Sequence, residues 1–192
     1  MKELSDIKLV IGVAEITRQR TLIRAGVPLL YAHWEGFVKV ASEVYLNYVT
    51  NQRHKYRELR SCFVVYGLKG RLNEIAESNN SHRNSKIIEF MLEEMDNRAA
   101  IPYKAVIDTE SNLSSKVFAN ITSSIGLSPD SYETKYNFID KSVLHRRNSI
   151  AHGEYVDVEK PAYDQISDEM IGLLRNYKTD IENALTLHSY KR

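Results

Sequence analysis

The stretch between Pro28 and Val49 constrains the fold more strongly than any other part of the sequence. Its apolar residues recur in steps of four and three, at Leu30, Trp34, Phe37, Ala41, Val44 and Tyr48. This spacing places all six side chains on one face of an amphipathic helix. We interpret that face as part of a packed core, and its aromatic residues as core rather than as a cofactor site.

The same periodicity predicts helices along most of the chain. Gly26 is expected to end the first helix, and Pro28 is expected to open the second at a first-turn position. Gly67 and Gly70 are expected to break or kink the third. The predicted helices cover approximately residues 4–24, 28–49, 62–76, 87–95, 113–125, 129–152 and 161–184. The sequence has no internal repeat and no evident domain boundary, so residues 1–192 are predicted to form a single domain.

Composition narrows the classes of protein that this chain can belong to. The 192 residues carry a net charge of +1, so any nucleic-acid site must be a local basic patch. The single cysteine, Cys62, cannot form an internal disulfide, which fits a cytoplasmic location, and we interpret it as a small buried hydrophobe. No apolar run approaches the roughly 18 residues of a membrane span, and the charged N-terminal residues are unlike a signal peptide.

The most unusual segment runs from His145 to Gly153 and contains two arginines, two histidines and an asparagine, with no acidic residue. Arg147 lies on the apolar stripe of its helix, four residues after Val143 and three before Ile150. A guanidinium on an apolar face is costly unless it is paired. The spacing leaves two interpretations open, a structural arginine that reaches solvent or a carboxylate, and an arginine that belongs to a site.

His152 is predicted to lie in the last helical turn or at its cap, because Gly153 is typical of the position just past a helix end. The helix C-terminus favours a protonated imidazole and the nearby arginines disfavour it, so His152 is suited to proton transfer. In an ideal helix, residues five apart point roughly 140° away from each other. Arg147 and His152 therefore converge only if the last turn unwinds or a second chain completes the site. Taken alone, His152 is interpreted as a capping histidine.

The arrangement Arg147-Asn148-x-x-x-His152 resembles the R-x(4–6)-H signature of the HEPN superfamily. The segments Tyr31–Phe37 and Asp108–Leu113 resemble its prokaryotic MAE-type branch of nucleases. The resemblance implies an all-α fold, a compact bundle of about five to seven helices. It also implies a homodimer in which two copies of Arg147, Asn148 and His152 form one composite catalytic site.

Several neighbouring residues are candidates for contacts with RNA. A positive rim that guides the strand is predicted at Arg146, His145 and Lys141. Tyr155 is close in sequence to His152 and either stacks on a base or covers the core. A second basic run, from Arg53 to Arg60, is interpreted as a solvated surface rather than a phosphate site.

Glu35 has two possible roles. It is spaced to pair with Lys39 one turn later on the same helix. The HEPN resemblance suggests instead that Glu35 supports Arg147 across the core.

The function predicted from these features is metal-independent endoribonuclease activity that leaves 2′,3′-cyclic phosphates. The family context suggests a bacterial toxin–antitoxin or antiphage system, with RNA as substrate and a cognate antitoxin or other defence protein as partner. The alternative is a non-catalytic HEPN module that binds nucleotides or proteins. No cofactor or metal is predicted, because the carboxylates Asp108 and Glu110 have no histidine or third ligand at a fixed spacing and are interpreted as helix caps.

Overall fold

The computed structural model describes residues 2–192, and its regular structure is helical, which confirms the all-α prediction. Two 3-10 helices, Tyr56–Glu58 and Asp130–Lys135, and a π-helix, Phe138–His145, interrupt the α-helices. Among the described residues, extended pairing is confined to two isolated bridges, and no helix is long and apolar enough to cross a membrane. The α-helices are α1 Lys2–Val13, α2 Ile16–Asn51, α3 Ser61–Ala76, α4 Ser81–Glu94, α5 Ser115–Ser124, α6 Arg146–Ala151 and α7 Lys160–Thr186.

The chain folds into two compact units, and each is built from segments that are distant in sequence. The first comprises the chain up to Val40, Thr109–Ala119 and Pro129–Thr179, and the second comprises Ala41–Asp108, Asn120–Ser128 and Asp180–Arg192. The description of residues 1–192 as one domain stays a prediction.

The predicted helix break at Gly26 and Pro28 is wrong, because α2 continues through both residues. A proline inside a helix costs about 3 kcal/mol. Each large apolar side chain that is fully buried contributes roughly 1.5–3 kcal/mol, so burial around this turn outweighs the cost of the proline. The buried side chains around Pro28 are Ile23, Val27, Leu30 and Tyr31.

Gly26 is needed for close packing against a neighbouring helix and does not end a helix. A Cβ atom at this position would lie 2.6 Å from Tyr163 Oη and 2.8 Å from its Cζ, which is closer than real Cβ contacts allow. Tyr163 belongs to α7 and is fully buried, and its burial raises the pKa of the phenol to about 12. The bare backbone at Gly26 therefore lets α7 approach α2 closely.

We expect Gly26→Ala to lower the free energy of unfolding by about 1–3 kcal/mol, since the added methyl overpacks against the Tyr163 ring. Gly36→Ala is the matched control, because Gly36 lies on the same helix and a Cβ added there would have no neighbour within 4 Å. That change should stabilise the protein by about 0.5–1 kcal/mol through helix propensity. Urea unfolding gives the change in the free energy of unfolding for each variant. Equal changes in the two variants would contradict the close approach of α7 to α2 at Gly26.

The buried face of α2 overlaps the predicted face only in its first half, where Leu30 and Trp34 are fully buried. Val44 is 61% exposed and Tyr48 is 37% exposed, so placing these two residues in the core was wrong. The apolar residues of α2 cover a broad part of its circumference, and spacing alone does not select which part is buried. The apolar side chains of α2 that are buried are Ile23, Val27, Leu30, Tyr31, Trp34, Val38, Tyr45, Leu46 and Val49.

The core of the first unit is an aromatic cluster around Phe118 of α5. The Phe118 ring lies 4.8 Å from Trp34, 5.0 Å from Tyr132 and 5.4 Å from Tyr177 between ring centres. Contacts of this kind between aromatic rings add to the burial of large side chains. They fix α5, and with it the loop that precedes α5, against α2 and α7.

In the second unit, α3 continues through Gly67 and Gly70, which corrects the predicted break there. A Cβ at Gly67 would lie 2.2 Å from the Tyr56 hydroxyl, so this glycine also serves a close contact. Cys62 at the start of α3 is half-buried, and burial raises the pKa of its thiol. A thiol held protonated fits the structural interpretation of this cysteine.

The sequence predicted one long α-helix for the segment that carries Arg147, Asn148 and His152, and this prediction is wrong. The segment consists of a 3-10 helix, the π-helix Phe138–His145 and then α6. A π-helix closes with i→i+5 hydrogen bonds, so each residue after it is rotated relative to a continuous α-helix. As a result Ser149 is buried, whereas Ile150 and Arg147 are only half-buried.

Candidate active site

Arg147 is held in place by neutral partners. Its Nη1 donates to the Asn112 side-chain oxygen at 3.0 Å and to the Asn148 side-chain oxygen at 2.7 Å. The guanidinium carbon lies 4.7 Å from the centre of the Tyr31 ring, in a cation–π contact. Within residues 2–192, Arg147 forms no ion pair with a carboxylate. The guanidinium is therefore oriented while its charge is left uncompensated.

Tyr31 links Arg147 to Glu35. The Tyr31 hydroxyl accepts a hydrogen bond from the Leu113 N–H at 2.6 Å, and the nearby Glu35 carboxylate raises the pKa of this phenol. Burial is the main cause that raises the pKa of Tyr31; the Leu113 N–H and Arg147 oppose the rise, and the Glu35 charge adds to it. Within residues 2–192, Glu35 forms an ion pair with neither Lys39 nor Arg147, and its charge acts on the Tyr31 phenol instead.

The loop before α5 presents Asn112 to Arg147 from a strained turn. Glu110 and Ser111 have φ angles of 53° and 58°, in the left-handed region that side chains other than glycine rarely adopt. The Asn112 N–H closes the turn on the Thr109 carbonyl at 3.1 Å. Strain of about 1–3 kcal/mol per such residue persists where the surroundings enforce it, and here it positions a partner of the motif arginine.

Asp140 of the π-helix ties this loop to the motif segment. Its two carboxylate oxygens accept hydrogen bonds from the Ser115 N–H at 2.7 Å and the Ser115 hydroxyl at 2.6 Å. A carboxylate is favourable at the first turn of α5, where unpaired N–H groups and the helix dipole meet. Helix α5 begins at Ser115, later than predicted, and Ser114 caps its first turn through the Val117 N–H.

His152 follows the last residue of α6 as its cap, as its position before Gly153 predicted. The Glu154 N–H bonds the Ser149 carbonyl at 2.9 Å and the Gly153 N–H bonds the Ile150 carbonyl at 3.1 Å, which is the Schellman pattern. Gly153 supplies the positive φ of 81° that this pattern needs. The His152 side chain is exposed, and within the described part of the chain its imidazole has no hydrogen-bond or ion-pair partner. A capping role for this side chain therefore has no support in its contacts.

Arg24 of α2 holds the end of the motif helix. Its Nη1 donates to the Glu154 carbonyl at 2.6 Å, and its Nη2 lies 3.5 Å from the Ile150 carbonyl. These carbonyls flank the C-cap residue His152, so Arg24 fixes the backbone that carries the imidazole.

We expect Arg24→Ala to lower the free energy of unfolding by about 1–2 kcal/mol, because two carbonyls lose a charged donor at a partly exposed site. Arg20→Ala removes the same charge one turn earlier on α2, from a side chain that is exposed. This control should cost less than about 0.5 kcal/mol. Chemical denaturation measures the free energy of unfolding of both variants. A loss in Arg20→Ala as large as that in Arg24→Ala would contradict the proposed role of Arg24 in holding the end of the motif helix.

Three of the residues predicted to contact RNA precede Arg147 in the chain, and one follows His152. Lys141 and His145 are exposed on the π-helix, and Arg146 is half-buried and donates to the Ser142 carbonyl at 3.2 Å. Tyr155 is 79% exposed, so it does not cover the core and its ring is available for stacking. Contact of these residues with RNA stays a prediction.

Four residues with roles at this site were not predicted individually, namely Arg24, Tyr31, Asn112 and Asp140. Tyr31 and Asn112 lie in the two segments that carry the HEPN resemblance, and that resemblance was the one signal in the sequence that could have identified them. Arg24 and Asp140 act on groups distant in sequence, and such contacts leave no local pattern.

The all-α fold, with Arg147 and His152 at the end of one helix, is consistent with the HEPN resemblance of the sequence. The family model RiboL-PSP-HEPN matches residues 1–183, and the chain belongs to this family. The predicted superfamily is confirmed, while the assignment to the MAE-type branch stays a prediction. HEPN domains are generally associated with RNase activity and commonly bind RNA and form dimers. Comparison with curated proteins and with solved structures gave no match.

Proposed function

We propose that this protein is a metal-independent endoribonuclease. The observation that carries the proposal is the environment of Arg147. Both hydrogen bonds found for its guanidinium use Nη1, which leaves the edge formed by Nε and Nη2 for a ligand. That edge matches two oxygens of a phosphate, and the neutral partners leave a full positive charge to stabilise the transition state.

Cleavage of RNA without a metal requires three events. The 2′-hydroxyl loses a proton and attacks phosphorus, negative charge builds on the phosphate oxygens, and the leaving 5′-oxygen gains a proton. Arg147 supports the second event. His152 supports proton transfer, since its imidazole is exposed and unpaired on a backbone that Arg24 holds. The products are a 2′,3′-cyclic phosphate and a 5′-hydroxyl.

A single chain offers one histidine at the end of the motif, whereas the reaction needs a base and an acid. We therefore propose a homodimer in which two copies of Arg147, Asn148 and His152 face one cleft. A role in a bacterial toxin–antitoxin or antiphage system, with a neutralising partner protein, is part of the same proposal and follows from family context.

The test is incubation of the purified protein with total RNA in excess EDTA. We expect cleavage at a rate that EDTA does not change. An absence of cleavage together with retained RNA binding would overturn the nuclease and favour the non-catalytic binding module.

The composite site also predicts how activity depends on concentration. We expect the cleavage rate per chain to fall on dilution through the range in which the dimer dissociates, because each chain alone holds half of the site. Analytical ultracentrifugation on the same samples gives the dimer fraction. A rate per chain that stays constant while the dimer dissociates would show that one chain suffices.

A further inference from the structure

A basic cavity of about 470 Å³ lies between α3 and α4, entirely within the second unit. Arg71 of α3 and Arg83 and Lys86 of α4 line it with their cationic side chains. Ile87 and Phe90 form its apolar part, and Phe90 is 40% exposed. The cavity thus combines positive charge with an accessible aromatic ring.

The cations of this cavity outnumber its acidic partners. Glu74 accepts from Arg71 at 3.1 Å and lies 3.8 Å from Arg83. Lys86 forms no ion pair among the described residues. His82 also lines the cavity and adds a further cation when protonated. One carboxylate shared between two arginines leaves the cavity with a net positive charge.

The charges of α4 are arranged against the stability of the helix. Its cations, Arg83 and Lys86, occupy the first two turns, and its acidic residues, Glu89, Glu93 and Glu94, occupy the last two. The helix dipole favours the opposite order, so this arrangement destabilises α4. A bound anion would offset the unfavourable interaction between these cations and the helix dipole.

Arg71 packs on the Phe90 ring at the wall of the cavity. Its guanidinium lies over the Phe90 ring at 4.8 Å and is bonded to Glu74. Because Arg71 is already paired with Glu74, it supports the Phe90 ring rather than a phosphate, and the exposed part of that ring can stack on a base. A cavity of this volume falls within the range of small-ligand sites, roughly 300–1,000 Å³.

We propose that this cavity is a second contact for single-stranded RNA, built from residues other than those of the candidate active site. It binds a backbone phosphate through Arg83 and Lys86 and stacks one base on Phe90. The inference rests on the proposed function for its choice of RNA, but it concerns binding and needs no cleavage.

The experiment measures binding of a fluorescein-labelled oligo(A) to the full chain carrying His152→Ala, which keeps the RNA intact, by anisotropy at several salt concentrations. Adding Arg83→Gln and Lys86→Gln should weaken binding about tenfold or more. The slope of log K against log salt should become shallower by about 1.4, as expected for two lost phosphate contacts on a single strand. Lys69→Gln removes an exposed charge of α3 outside the cavity, and it should change the affinity less than about twofold.

A third variant distinguishes RNA from other polyanions. Phe90→Leu should weaken oligo(A) binding at least about fivefold through lost stacking, and should leave binding of inorganic polyphosphate unchanged. Unchanged affinity and salt slope in the Arg83→Gln, Lys86→Gln protein would overturn the site. Loss of oligo(A) binding in that protein with no effect of Phe90→Leu would overturn the stacking on Phe90 and leave a contact that binds polyanions in general.

Failure of the cavity and failure of the nuclease give different results. If the wild type does not cleave RNA but the cavity variants weaken binding as expected, the nuclease proposal fails and the cavity stands. If the wild type cleaves and the variants bind normally, only the cavity proposal fails.

Discussion

Replacement of His152 by alanine should reduce RNA cleavage by roughly 10²–10⁴-fold, the usual contribution of a general acid or base. The imidazole is exposed at a helix C-cap and makes no contact that supports the fold, so the melting temperature should stay within about 2 °C of the wild type. The cleavage rate with a defined RNA and thermal unfolding of the same sample give both quantities.

His145→Ala is the matched control for this change, because it removes an exposed histidine from the same segment. It should alter the cleavage rate only a few-fold, about the effect of a rim contact. An unchanged rate in His152→Ala would remove this residue from the mechanism, whereas equal losses in both variants would point to RNA binding rather than proton transfer.

Replacement of Arg147 by lysine should reduce the rate about 10²–10³-fold although the charge is kept. Lysine cannot donate to Asn112 and Asn148 while presenting a second planar edge to phosphate, and it does not reproduce the stacking of a guanidinium on Tyr31. The loss should appear in kcat more than in KM, because the missing contacts act on charge that develops in the transition state.

Arg146→Lys tests the same chemistry at the adjacent position. Arg146 donates to the Ser142 carbonyl one turn earlier, a contact that does not depend on a planar fork. Its rate should fall less than about threefold. A loss at Arg146 as large as that at Arg147 would show that overall charge, rather than the orientation of one guanidinium, controls the reaction.

The helices themselves could be predicted from the sequence because apolar periodicity is local. The positions at which these helices are interrupted could not be predicted in this way. Gly26 and Pro28 are typical of a helix end, but the structure uses the glycine to admit the Tyr163 ring, a contact between residues that lie far apart in the chain. The buried side of α2 was misassigned for a related reason, since its apolar arc is too broad and packing partners decide which part is covered.

The candidate site was predictable in part. His152 could be placed at the helix end because it precedes a glycine. Arg147 could be identified as a residue that requires partners because its charge lies on the apolar stripe of its helix. The π-helix that rotates Arg147 out of the core has no sequence signature, because it differs from an α-helix only in its hydrogen-bond register. The neutral partner Asn112 comes from a strained loop whose geometry depends on Tyr31 and Asp140 together.

The most direct test of the account is the chemistry of the RNA ends produced by the wild-type protein in excess EDTA. Attack by the 2′-hydroxyl with Arg147 and His152 predicts 2′,3′-cyclic phosphates and 5′-hydroxyls, which end-labelling and phosphatase sensitivity identify. Products with 3′-hydroxyls and 5′-phosphates would contradict it, because they require attack by water with the 3′-oxygen as the leaving group.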